Sequence, residues 1–139
     1  RFQHLQKCEI NAKSKGEIVT DADIQAEIRL SSALQSLLPG STVVGEEGYE
    51  GNNSVMERFD GDTPVWIVDP LDGTRNFSEG NTCFCTIVAF CLKNETYLAW
   101  IYDPIHKNMF FAARGSGAWC NDRIIETANE LKFSEMIGV

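Results

Sequence analysis

Two aspartates, Asp69 and Asp72, stand three residues apart in the run Trp66-Ile67-Val68-Asp69-Pro70-Leu71-Asp72-Gly73-Thr74-Arg75-Asn76-Phe77. Carboxylates held that close repel each other unless a counter-charge lies between them. A divalent cation is the direct remedy, and hard ions such as Mg2+ prefer oxygen ligands of this kind. A plain Asp-Pro-x-Asp-Gly turn with both acids in water is the alternative, and these residues alone leave both readings open. What precedes the acids decides where they sit. Val65 to Val68 is a short apolar run rich in β-branched residues, which predicts a buried strand. Past Val68 the chain is expected to turn sharply, because Asp69-Pro70 fixes φ and Asp72-Gly73 is a turn dipeptide.

Other acids follow other predicted elements. Ile18-Val19 is a short apolar step into Thr20-Asp21-Ala22-Asp23, where Thr20 reads as an N-cap and the acids suit a first helical turn. The helix is expected to run to about Leu38, with Ile24, Ile28, Leu34 and Leu38 on its apolar face and Pro39-Gly40 as its stop. Asp23 is therefore either a capping group or a site residue. Thr42-Val43-Val44 is the next strand, and Gly45-Glu46-Glu47-Gly48 follows it directly. Glu46 thus stands at a strand end, as Asp69 does, and ligands of open α/β sheets gather outside strand ends.

The remainder reads as scaffold. Residues 1–10 look like the tail of a helix, and Asn11 to Glu17 like a loop or hairpin tip. Tyr49 to Thr63 is a polar excursion expected to cover the site. Cys83 to Leu92, Thr96 to Tyr102, Met109 to Ala113 and Ala118 to Cys120 form an expected antiparallel meander of three or four strands. Met136 to Val139 begins a further strand at the point where the chain stops. The first residue is Arg1, not Met, which reads as part of a longer or processed chain. The expected fold is a layered α/β arrangement: one long helix, an antiparallel-rich sheet, and a site at the strand ends around Asp69.

Composition narrows the function classes. The chain has 139 residues and 43% hydrophobic content, enough for a domain with a core. A formal net charge of −8 argues against a nucleic-acid or anionic-membrane surface. No apolar run reaches membrane-spanning length. Five cysteines is an odd number, and Cys83 and Cys85 are spaced too closely for a zinc knuckle, so reduced thiols and a cytoplasmic setting are expected. His4 and His106 are the only histidines, and neither adjoins another ligand-like cluster in sequence, which disfavours a histidine-based triad.

Three segments in order, Val19-Thr20-Asp21-Ala22-Asp23, Gly45-Glu46-Glu47 and Trp66 to Phe77, together resemble the inositol monophosphatase family of Mg2+-dependent, lithium-sensitive phosphatases. Gly115-Ser116-Gly117-Ala118-Trp119-Cys120-Asn121 looks like a further segment of that family. The resemblance implies an α/β fold, the α+β layered sandwich shared with fructose-1,6-bisphosphatase. Residues 1–139 would form its N-terminal metal-binding portion. It implies that Glu46, Asp69 and the Leu71 carbonyl bind a first Mg2+, and that Asp69 and Asp72 share a second. A third ion, or Mn2+ in place of Mg2+, is within its scope, and Li+ would inhibit. Gly73 and Thr74 would offer backbone N–H groups to a phosphate. Thr74 and Glu46 would orient and deprotonate the attacking water, and Asp23 would hold a metal-bound water. Lys13 matches a lysine often found near this site, with Lys15 competing for the alignment.

What the resemblance implies about partners is a small phosphorylated substrate, no nucleic-acid polymer, no membrane, and a homodimer in the full-length form. Inositol monophosphate leads the substrates, with 3′-phosphoadenosine 5′-phosphate, histidinol phosphate and fructose 1,6-bisphosphate as alternatives. The family's C-terminal Trp-Asp-x-x-Ala-Gly-like motif, which carries another metal ligand, has no match in residues 1–139. Two rivals remain. Haloacid-dehalogenase-like phosphatases use an Asp-x-Asp nucleophile pair, but here two residues, Pro70 and Leu71, separate the acids. The other rival is a non-catalytic member, or an inactive fragment, that only binds a metal or phosphorylated ligand.

Overall fold

A computed structural model describes residues 10–12, 18–49 and 61–127. Lys13, the 50–60 part of the expected excursion, the expected helix tail at residues 1–9 and the run at Met136 to Val139 lie outside the described residues. Strands β1 (Ile10–Ala12) and β2 (Ile18–Thr20) form an antiparallel hairpin that leads into helix α1 (Asp21–Leu37). Strand β3 (Thr42–Gly45) and the single turn α2 (Glu46–Tyr49) follow. Strand β4 (Val65–Asp72) runs into the short helix α3 (Thr74–Ser78). Then come β5 (Cys85–Leu92), β6 (Glu95–Asp103), β7 (Asn108–Ala113), β8 (Gly117–Cys120) and β9 (Arg123–Ile125).

Strands β3 to β9 make one seven-stranded sheet in sequence order. β3 pairs parallel to β4, and every later pair is antiparallel. The expected meander is therefore present and one strand longer. β9 escapes the sequence pattern because its three residues are all exposed, so no alternation marks it. The parallel β3–β4 pair sends both chains the same way, so Gly45 and Val68 are register partners. Glu46 and Asp69 follow them side by side.

β4 is the buried spine. Val65, Val68 and Leu71 are buried, and Trp66 donates its indole N–H to Ser41 Oγ at 3.1 Å. The strand does not turn sharply after Val68; it continues to Asp72 through a bulge. Asp69 pairs with Ile87 and Asp72 with Cys85, so three steps on β4 span two on β5. Pro70 lacks an N–H for the ladder, and its carbonyl is taken instead by the Thr86 hydroxyl at 3.0 Å. The real turn falls at Gly73, with φ +90°.

α1 rests on β3 and β4. Its inward stripe differs from the expected one. Ile28 is 58% exposed and Ile24 is exposed too, whereas Asp23 is fully buried and Leu30, Leu34 and Leu38 are half-buried. The helix is turned so that a carboxylate begins the inward face, and an apolar-only periodicity passes over it. Beside α1, the same sheet face carries an aromatic row. Trp100 packs 5.4 Å from Phe111, and Phe111 5.4 Å from Trp119. No described helix is long and apolar enough to cross a membrane.

Candidate active site

Thr20 caps α1, and its partner is Asp23. The Thr20 backbone N–H donates to Asp23 Oδ2 at 2.9 Å, and the Thr20 hydroxyl donates to the same oxygen at 2.5 Å. The capping reading of Asp23 is thus correct, but it uses one oxygen only. Oδ1 accepts the Thr74 hydroxyl at 3.0 Å. Thr74 opens α3, which the bulge and Gly73 aim back at the start of α1. The same hydroxyl lies 2.9 Å from the Leu71 carbonyl. A hydroxyl has one proton, so it serves one of these two acceptors at a time. Beside its expected task of holding a metal-bound water, Asp23 meets the Thr74 hydroxyl directly.

At the neighbouring strand ends Glu46 and Asp69 meet in a side-chain hydrogen bond. Burial, then the charge and hydrogen bond of Glu46, then the charge of Asp72, push Asp69 up to about 7. Asp69 Oδ1 also accepts the Leu71 N–H at 3.1 Å, which opposes that rise and holds the bulge closed. Asp72 is exposed and lies 3.6 Å from the Cys85 thiol, whose own pKa burial and Asp72 raise to about 11. Gly73 is required where it stands: a Cβ there would lie 2.8 Å from the Cys83 carbonyl oxygen.

The structure therefore brings Glu46 to Asp69, and sets Thr74 against both Asp23 and the Leu71 carbonyl. It does not gather Glu46, Asp69 and Asp72 into one cage. Among the described residues no three His, Cys, Asp or Glu side chains group as a metal site. The donor set nonetheless fits a hard divalent ion. Glu46, Asp69, Asp72 and the Leu71 carbonyl are all oxygen donors, and a cation would offset the burial and the carboxylate charges that raise Asp69.

One acid escaped the sequence reading. Glu27, one turn after Asp23 on α1, packs its carboxyl against Gly45, the residue before Glu46, and a Cβ on Gly48 would sit 3.5 Å from Glu27 Oε1. The spacing of Asp23 and Glu27 on one helix face was the available signal. His106 is a second difference. It pairs through Nδ1 with Asp103 Oδ2 at 2.6 Å.

The sequence profile described as the inositol monophosphatase family matches residues 1–138. This chain belongs to the inositol monophosphatase family. Nus factor SuhB of Xylella fastidiosa is 34% identical over 132 residues, covering 92% of this chain and 45% of that protein. An inositol-1-monophosphatase of Mesorhizobium japonicum is 31% identical over 98% of this chain and 49% of its own length. Among solved structures, an IMPase/NADP phosphatase complexed with Mg2+ and phosphate is 28% identical, with a TM-score of 0.78 over 94% of this chain and 48% of that one. A Staphylococcal inositol monophosphatase-1 in a lithium chloride-soaked inhibitory complex is 27% identical, with a TM-score of 0.80 over the same shares. The chain spans about half the length of the family members it matches.

Proposed function

We propose that this chain supplies the metal- and phosphate-binding half of a Mg2+-dependent phosphomonoesterase, acting on a small phosphate ester with inositol monophosphate foremost. The observation that carries the reading is the Thr74 hydroxyl held between Asp23 and Leu71, beside the Glu46–Asp69 pair. Glu46, Asp69 and the Leu71 carbonyl would hold one Mg2+, and Asp69 with Asp72 a second. Bound Mg2+ neutralises charge on the phosphate and makes a bound water more acidic.

The chain's own groups do the rest. With the Leu71 carbonyl engaged by the metal, the Thr74 hydroxyl would donate its hydrogen bond to Asp23 Oδ1. The Thr74 oxygen then presents a lone pair to the attacking water, and Glu46 accepts the water's proton. Gly73 and Thr74 N–H groups orient the phosphate at the start of α3. The reading has no covalent nucleophile. A further metal ligand and the outer substrate wall would come from the half of the relatives' length that this chain does not span.

The test is phosphate release from inositol 1-phosphate by the whole protein, with and without Mg2+. Release that needs Mg2+ and is abolished by Asp69→Asn supports the reading. Release without Mg2+, or with Asp69→Asn intact, rejects it. The name Nus factor, carried by the SuhB relative, favours a second reading: a member that binds within an assembly and turns over nothing. Saturable Mg2+ binding with no turnover across a panel of phosphate esters would favour it.

A further inference from the structure

An open cavity of about 510 Å³ borders the proposed site at Asp72 and Gly73. Asn76, Ile101 and Phe110 line it as well, together with Asp103 and His106 at the β6–β7 turn. Nothing in the proposed reaction uses His106, yet its ring is fixed. Asp103 accepts the Ile105 N–H at 2.9 Å, the His106 N–H at 3.0 Å and His106 Nδ1 at 2.6 Å. These bonds hold the Asp103 carboxyl below its ordinary range, so it stays ionised and keeps the proton on Nδ1. The Nε2 edge is then the one left for a ligand, on a ring that is two-thirds exposed.

The charges select the ligand. The cavity wall has two carboxylates, Asp72 and Asp103, and neither Lys nor Arg lines it. A second phosphate entering there would meet repulsion. Hydroxyl groups, which donate and accept, would find partners in the carboxylates and in Nε2. We propose that this cavity receives the alcohol half of the phosphate ester, a neutral polyhydroxylated body, and that His106, with Asp103 as its positioning residue, reads its hydroxyl groups. The inference rests on the phosphomonoesterase reading and assigns the specificity determinant of that same site.

The experiment compares the whole protein with its His106→Ala, His106→Gln and Asp103→Asn variants on two esters. Inositol 1-phosphate has hydroxyls to read; 4-nitrophenyl phosphate has none. His106→Ala is expected to raise KM for inositol 1-phosphate about tenfold, the effect of one lost hydrogen bond to substrate, with kcat within about twofold. KM for 4-nitrophenyl phosphate is expected to stay within about twofold, and His106→Gln to recover most of the loss. Asp103→Asn should follow His106→Ala more weakly, in KM alone.

Equal changes on both esters, or an unchanged KM for inositol 1-phosphate, would overturn the assignment. Calorimetric binding of inositol 1-phosphate to Thr74→Val protein, with and without His106→Ala, decides the matter without turnover. Weaker binding in the double variant supports the role of His106 even if the wild type hydrolyses neither ester, an outcome that sinks the phosphatase reading alone. Equal binding overturns it.

Discussion

The Thr74 hydroxyl donates to Asp23 Oδ1 at 3.0 Å across 51 positions of sequence, and it joins the first turn of α1 to the first turn of α3. The same Asp23 side chain closes the helix cap through Oδ2. One buried carboxylate therefore closes the helix cap and holds the hydroxyl that the proposed reaction uses. Thr74→Val keeps the shape and removes the hydroxyl. It is expected to lower kcat about 100- to 10,000-fold, the range for a lost proton-handling group. Thr74→Ser should retain most activity. Asp23→Ala should lose activity and also destabilise the fold by about 1–2 kcal/mol, because the cap goes with it. Steady-state kinetics and urea unfolding separate the two effects.

The raised Asp69 pKa makes metal-free stability fall as pH rises. In the unfolded chain Asp69 titrates near 3.8 and in the folded one at about 7, so the folded state binds more protons between those values. The contribution is fully present below pH 3.8 and is lost as pH climbs through about 7. Mg2+ replaces the shared proton, so its stabilising effect should run the opposite way and grow from pH 5 to pH 8. Thermal unfolding with and without Mg2+ at those two pH values checks this. Asp69→Asn should flatten both trends.

Much of this arrangement is legible in the sequence, and what is not has physical causes. The strand-then-acid pattern at Val65 to Asp72 and the Thr20–Asp23 cap are local, so local rules find them. The rotation of α1 is not local. It depends on Asp23 being wanted inside, by a threonine 51 residues away. The bulge at Asp69 to Asp72 replaces the expected turn, and there the Thr86 hydroxyl, on the next strand, donates to the Pro70 carbonyl. The Asp103–His106 pair is close in sequence, but its place beside Asp72 comes only from the β5–β6–β7 pairing. Elements that answer to their neighbours in sequence can be read; those that answer to neighbours across the sheet cannot.

Gly73 is the hinge on which α3 is aimed. Its φ of +90° disfavours any side chain, and an added Cβ would press to 2.8 Å from the Cys83 carbonyl oxygen. Gly73→Ala is expected to cost about 1–3 kcal/mol from backbone strain alone, with the backbone contact adding to it. The Thr74 hydroxyl should move off Asp23 as α3 tilts. A urea midpoint well below wild type, together with a loss of activity larger than the loss of folded protein, is the expected result. A variant of unchanged stability would mean that the left-handed turn is not needed.

Gly45 and Glu27 are coupled through space in the same way. A Cβ on Gly45 would collide with the Glu27 carboxyl, so the end of that side chain must shift to admit it. Glu46 follows immediately, so any displacement at Gly45 is passed to the Asp69 partner. Gly45→Ala alone should therefore destabilise the protein and weaken Mg2+ binding. Combining it with Glu27→Ala removes the obstructing carboxyl. The double variant should then be less damaged than the two single changes predict when summed, by about 0.5–3 kcal/mol of coupling. Unfolding of all four proteins in a double-mutant cycle measures that term. Strict additivity would show that Glu27 yields freely, and that the close approach of α1 to the end of β3 places no constraint on Glu46.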